Sequence, residues 1–234
     1  MDLAFEQHAR YVQALRDRGL EVIQLQPDEA HPDGTFVEDT AIVTERGAVV
    51  TRPGASSRRG EVQSVAQCLG NCFGHTQVIE APGTVDGGDI CEADGHFLIG
   101  ISARTNEQGA EQLAERLGRW GYASSIIDIR AKPALLHLKS GIAHLGGALW
   151  VADGAIEGDL RASKGFDRAS RIVIVPPSEA YAANCVRVND AVFVAAGYPL
   201  MHAALEARGC RVVPIDVSEF RKMDGGLSCL SLRF

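Results

Sequence analysis

Cys229 follows a glycine pair and a small hydroxyl residue in Lys222-Met-Asp-Gly-Gly-Leu-Ser-Cys-Leu-Ser, a context that lets other backbone or a ligand approach a thiol closely. It is the leading nucleophile candidate. His137, in Leu136-His-Leu-Lys-Ser, offers an acid/base group, and carboxylates cluster at Glu38-Asp39 and at Asp86-Gly-Gly-Asp89. Carboxylates beside a thiol raise its pKa and blunt it, so the combination makes sense around a cationic substrate. A guanidinium fits: carboxylates hold its planar N–H donors in pairs, and its charge favours the thiolate. Cys229 would then attack the central carbon, with His137 giving a proton to the leaving amine and later taking one from the hydrolytic water. Each residue also has a plainer reading. Buried free cysteine is common core filler, a lone histidine in an apolar run is usually packed, and Asp-Gly-Gly-Asp is turn chemistry. Their weight depends on whether the chain brings them together.

The elements that must do so repeat along the sequence. One unit reads Phe36-Val-Glu-Asp-Thr-Ala-Ile-Val-Thr, a turn, Ala48-Val-Val-Thr, a helix from about Arg58 to Leu69 and a strand at Gln77-Val-Ile. The same order of hairpin, helix and strand returns from Val85, from Leu136 and from Ala183. Apolar residues recur at three and four positions in the helices, and the strands are rich in Val and Ile. The two ends form a split fifth unit, with Gly225–Leu232 as its opening strand, a helix from about Leu3 to Arg18, and a strand at Leu20–Leu25. Its second hairpin strand is expected to be missing, which would leave an unpaired sheet edge. No unit buries its apolar face alone, so the expectation is one α/β domain over 1–234, with ββαβ repeats closed in a ring about a central channel. Polar residues at matching places in the first strands, including Asp86, His137, Asn184, Ser228 and Cys229, would point to the shared centre.

With 234 residues, 46% hydrophobic and 23% charged, the chain is of ordinary globular composition. A net charge of −7 argues against a nucleic-acid backbone as partner and suits a cationic small molecule. No apolar run is long enough to span a membrane and the N-terminus lacks a signal pattern, so the cytoplasm is the default location. Cysteines at 68, 72, 91, 185, 210 and 229 lack the paired spacing of a structural zinc site and read as free thiols. No metal or organic cofactor is implied, and a homodimer is left open.

Phe36-Val-Glu-Asp, Thr51-Arg-Pro-Gly-Ala-Ser-Ser-Arg-Arg, Val85-Asp-Gly-Gly-Asp, Ser102-Ala-Arg-Thr-Asn, Leu136-His-Leu-Lys-Ser, Ala182-Ala-Asn-Cys and the Cys229 segment, in that order, resemble the dimethylarginine dimethylaminohydrolase family, its bacterial members most closely. The resemblance implies a five-bladed α/β propeller of the guanidino-modifying superfamily and hydrolysis of Nω-methylated arginines to citrulline and methylamines through a covalent thiouronium. It makes Cys229 the nucleophile, His137 the general acid and base, and Asp86 the carboxylate that helps hold the guanidinium. Asp39 and its neighbour Glu38 match guanidinium-binding positions. Asp33 matches a contact to the amino-acid end, Arg52 and Arg104 the arginines for the substrate carboxylate, and Met223 a backbone contact. Arginine deiminases and amidinotransferases carry a His-x-Asp motif where this chain has His137-Leu-Lys139, and losing that carboxylate favours a methylated nitrogen. Family members begin with a further strand and lid loop, so weaker substrate binding or reduced stability is expected of this sequence. Other readings are hydrolysis of another guanidino or ureido compound, such as arginine or citrulline, and an amino-acid-binding module without turnover.

Overall fold

Short Val/Ile runs broken by Gly- and Asp-containing turns fold into hairpins, and each hairpin gains a parallel third strand through a helical crossover, the connection that parallel pairing requires. The structure, a computed structural model, describes residues 2–73 and 76–234. After α1 (Asp2–Arg16), β1 (Ala41–Thr44) pairs antiparallel with β2 (Gly47–Val50), Ala41 opposite Val50; α2 (Val62–Phe73) crosses back and β3 (Thr76–Val78) lies parallel to β2. The second unit is β4 (Ile90–Ala93), β5 (His96–Ile101), α3 (Glu107–Arg119) and β6 (Ala123–Asp128). The third is β7 (Ile142–His144), β8 (Leu149–Ala152), α4 (Glu157–Ala162) and β9 (Arg171–Ile174). The fourth is β10 (Val186–Val188), β11 (Ala191–Ala195), α5 (Pro199–Glu206) and β12 (Arg211–Ile215). Among the described residues there are four three-stranded sheets, each with its middle strand paired to both neighbours.

Burial follows the predicted periodicity. The α3 helix starts on Asn106, whose side chain accepts from the Gly109 amide, and turns Ala110, Leu113 and Leu117 onto Phe97, Ile99 and Ile101 of β5. Trp150, Ile156, Leu160 and Phe166 fill the third unit. In α1 the buried positions Gln7, Tyr11, Val12 and Leu15 lie on one face, and Tyr11 and Leu15 join the core of the fourth unit. Each fully buried aliphatic side chain contributes roughly 1.5–3 kcal/mol of transfer free energy.

Two expectations are corrected. The segments Leu20–Leu25 and Gly225–Leu232 enter no sheet. A strand exists by its ladder, and in the other units the middle strand supplies both ladders; no described segment occupies that position between these two. The fifth unit is held instead through α1. Its Gln7 side chain donates to Ser218 Oγ (2.8 Å) and accepts from the Glu219 amide (3.0 Å), and Tyr11 Oη donates to the Leu227 carbonyl (3.1 Å). Second, the polar residues placed on first strands lie in short 3-10 segments or at their caps, ahead of the strand in four of the units: Val37–Thr40, Gly87–Asp89, Leu138–Ser140, the kinked Pro177–Ala183, and Ser228–Leu230 in the fifth. A strand would turn alternate side chains to opposite faces, whereas a tight turn gathers neighbours toward one point.

Side chains close these five turns into a ring. Asp39 Oδ1 accepts from the Gly88 amide (2.9 Å), and Asp89 Oδ1 accepts from the Leu138 amide (3.0 Å). Asn184 Nδ2 donates to the Lys139 carbonyl (3.0 Å) and to Ser228 Oγ (2.9 Å), and Ser228 Oγ donates to Glu38 Oε2 (2.7 Å). A cavity of about 650 Å³ lies on the strand side of the ring; its lining includes Glu38, Lys139, Asn184 and Ser228 but not His137, Asp86, Asp39 or Cys229.

Candidate active site

His137 and Asp86 cap two adjacent turns of the ring, and His137 Nε2 lies 3.1 Å from Asp86 Oδ2. Both are buried. The other Asp86 oxygen accepts from the Gly54 amide (2.8 Å), and the Asp86 amide donates to Thr105 Oγ1 (3.1 Å), so the carboxylate is fixed from two sides. Asp39 completes the cluster: one atom each from Asp39, Asp86 and His137 lie within 4.8 Å of one another. Among the described residues this is the one set placed to hold a metal ion, and two carboxylates at that spacing also suit a planar organic cation.

The electrostatics are those of a site built around positive charge. Burial alone would lower the pKa of His137, but Asp39, Asp86 and Asp89 outweigh it and raise the imidazole to about 9. Burial likewise works to raise Asp39, yet His137 and the Arg58 guanidinium hold its carboxyl below the usual range. For Cys229, burial and the Glu38 and Asp39 carboxylates act in one direction and push the thiol up to about 12, against a smaller opposing pull from Lys139. Asp89 is driven up to about 6 by burial.

Cys229 sits in the last turn of the ring, partly exposed between the buried Ser228 and Leu230. Its Sγ accepts from the Gly226 amide (3.4 Å), and its own amide donates to the Gly226 carbonyl (3.2 Å). A side chain at Gly226 would bring its Cβ within 2.5 Å of Asn184 Oδ1, so the glycine pair permits the close approach its sequence suggested. Tyr181 Oη donates to the Gly225 carbonyl (2.7 Å) and fixes the same turn.

The remaining sequence-predicted residues fall in different places. Glu38 is buried but engaged, with Oε2 accepting from Ser228 and Oε1 ion-paired to Lys139. Arg52 is partly buried and donates to the Gly83 carbonyl (3.2 Å); Arg104 follows Ser102, whose Oγ accepts from the Arg104 amide (2.9 Å). Asp33 is half-buried, and Met223 is exposed at the rim of the fifth unit. Sequence reasoning passed over Arg58. It is buried, and donates from Nη1 to Asp39 Oδ2 (2.5 Å), from Nε and Nη2 to Glu61, and from Nη2 to the carbonyls of Phe36 (3.2 Å) and Asp33 (3.4 Å). The Ser-Ser-Arg-Arg run signalled an arginine here, but only folding shows which of the pair turns inward. Asp89, the far carboxylate of Asp86-Gly-Gly-Asp89, ties the Leu138 amide to Ser102 Oγ (2.6 Å).

A ring of ββαβ units with a thiol, an imidazole and convergent carboxylates on its turns defines an α/β propeller of the guanidino-modifying class. The N-terminal domain of a cyanobacterial arginine dihydrolase shares the architecture at 18% identity (TM-score 0.88, 99% of this chain and 86% of that one). Residues 1–231 match the family model described as N,N dimethylarginine dimethylhydrolase, eukaryotic. The dimethylarginine dimethylaminohydrolase of Pseudomonas aeruginosa is 43% identical over 232 residues, 99% of this chain and 88% of the relative. A solved structure of that enzyme, a cysteine-to-serine variant complexed with citrulline, superposes with a TM-score of 0.92 at 41% identity, over 100% of this chain and 89% of the other. The chain belongs to the dimethylarginine dimethylaminohydrolase family.

Proposed function

We propose that this protein hydrolyses Nω-methylated arginines, asymmetric dimethylarginine and monomethylarginine, to citrulline and the corresponding methylamine. The observation that carries the reading is the His137–Asp86 contact of 3.1 Å with Asp39 beside it, on the same ring of turns as the Cys229 thiol. A guanidinium bound to Asp39 and Asp86 offsets the carboxylate field that holds the Cys229 thiol protonated, and the thiol proton leaves to solvent as the cation arrives. The thiolate attacks the guanidinium carbon. His137, protonated at neutral pH, gives its proton to the departing methylamine as the C–N bond breaks, leaving a thiouronium on Cys229. The now neutral imidazole takes a proton from water, which adds to the same carbon; the C–S bond breaks and citrulline leaves. Asp86 holds the imidazole ring throughout.

The Lys139 amine supports a methylated substrate. It is ion-paired to Glu38, so neither residue presents a free carboxylate that an unsubstituted guanidinium nitrogen would be needed to satisfy. Arg52 and Arg104 are the basic groups for the substrate's carboxylate end, because Arg58 is already committed to Asp39 and Glu61; Asp33 and the Met223 backbone complete the amino-acid end. The site sits within one domain, and the ligand is a small guanidino amino acid. No described helix is long and apolar enough to cross a membrane. Incubation with asymmetric dimethylarginine should release citrulline, with arginine a much poorer substrate by kcat/KM. Full activity in a Cys229→Ser variant would refute the mechanism.

A further inference from the structure

A second cavity, of about 390 Å³, opens between the third and fourth units, and its lining includes Arg171, Arg187, Arg208, Asp190, Gly146 and Gly147. None of the three arginines has a carboxylate partner among the described residues. Arg187 is held in place by carbonyls instead: Nε donates to Asn189 (3.1 Å) and Nη1 to Leu145 (2.9 Å). Arg208 donates only to the Ala204 carbonyl (2.9 Å), and the Arg171 side chain makes no hydrogen bond. The one acid, Asp190, is already engaged by Arg211 (2.8 Å) and faces Arg18 Nη1 at 4.0 Å. Arg18 Nε is the only buried side-chain nitrogen or oxygen among the described residues that lacks a partner. In a protein of net charge −7, three guanidinium groups therefore line one cavity whose single carboxylate is already approached by two further arginines, Arg18 and Arg211.

All three arginines are exposed, so their mutual repulsion is modest and screened by salt, and a bound anion would relieve it. Gly146 and Gly147 also line the cavity, next to Arg187. Gly146, Gly147 and Ala148 all have positive φ (79°, 54° and 67°), and their amides donate to no protein acceptor among the described residues. Successive free amides in such a turn make a concave binding surface for an anion. The geometry points to an oxyanion site at this cavity, remote from the ring, that takes a phosphate group, free or as the terminus of a small phosphorylated metabolite. A phosphate dianion offers three acceptor oxygens and about twice the charge of a carboxylate to the planar forks of more than one arginine. The cavity has the volume of a small-molecule site, and the overall negative charge disfavours a polyanionic strand.

The test measures thermal unfolding with inorganic phosphate, sn-glycerol 3-phosphate or chloride at matched ionic strength and pH 7.5. Parent protein should gain about 3–6 °C in Tm at phosphate concentrations near ten times Kd, with chloride giving no comparable gain. In an Arg171→Gln/Arg208→Gln variant the phosphate Kd should rise at least about tenfold, while Tm in chloride and citrulline formation stay unchanged. The tighter of the two phosphate probes identifies the source of the group. An equal gain from chloride, or an unchanged phosphate Kd in the variant, overturns the site.

Discussion

Asp86→Asn tests the electrostatic design of the active site with almost no change of shape. One Asp86 oxygen accepts from the Gly54 amide, so the asparagine keeps its carbonyl there and turns its NH2 toward His137 Nε2. A donor facing Nε2 requires that nitrogen to be an acceptor, which favours neutral imidazole. Two of the contributions that raise His137 to about 9, the Asp86 hydrogen bond and the Asp86 charge, vanish together, while burial continues to pull downward. The imidazole should fall by about 2 pH units, the scale of losing one close opposite charge. The consequence for stability has a definite sign. A pKa raised from 6.5 to about 9 by folding contributes fully below pH 6.5 and is lost as pH rises through 9, a total of roughly 3 kcal/mol. Between pH 6 and 10 the parent should therefore lose about 5–11 °C of Tm more than the variant loses, the equivalent of the roughly two-unit difference in pKa. Titration of the His137 ring proton by NMR, paired with unfolding at both pH values, measures the two quantities separately. A midpoint within about half a pH unit of the parent, or equal Tm losses, would refute the reasoning.

Three further outcomes follow from the same geometry. Gly88→Ala places a Cβ 2.8 Å from His137 Nδ1 and 3.0 Å from Asp39 Oδ1; citrulline formation should drop at least about a hundredfold at a stability cost of about 1–3 kcal/mol, checked by kcat and urea melts. Lys139→Met leaves Glu38 buried without its cation and should cost about 3–5 kcal/mol, whereas adding Glu38→Gln should recover most of that loss in chemical denaturation. The Cys229 thiol, pushed up to about 12, should react slowly with iodoacetamide at pH 8, and a bound non-reactive guanidine should move its alkylation midpoint to lower pH; no movement would count against activation by the substrate's charge.

The repeats were legible because each blade's strands and helix carry their own periodicity: Ala191–Ala195 reads as a strand and the Asn106 cap opens α3 where polar-apolar spacing begins. The candidate site residues stood out for a different reason, since Asp86, His137 and Cys229 each lie on or at the cap of the short turn that opens a unit. What the sequence withheld was tertiary. Three-residue turns such as Gly87–Asp89 leave no periodic trace, so the polar residues on them were assigned to the strands that follow. Arg58 and Arg59 are adjacent and chemically identical, and only the position of Asp39 and Glu61 selects Arg58 for burial. Glu38 looked free because Lys139, a hundred and one residues away, could not be seen to reach it. Leu20–Leu25 has a strand's composition but no ladder to join, which composition cannot reveal.

The fastening of the fifth unit by α1 separates two kinds of durability. Four units carry their own sheets, but the turn that bears Cys229 is secured by contacts from elsewhere, through Tyr11 to Leu227 and Ser231 and through Asn184 to Ser228. Peeling α1 away would remove the Tyr11 contacts and loosen that turn, leaving it on the Asn184, Glu38 and Tyr181 hydrogen bonds with all four sheets paired, a partial opening of lower free energy than global unfolding. Catalysis should therefore fail before the fold does: on warming, citrulline formation should fade and the amides of residues 225–231 should begin to exchange while the far-ultraviolet signature of the blades persists.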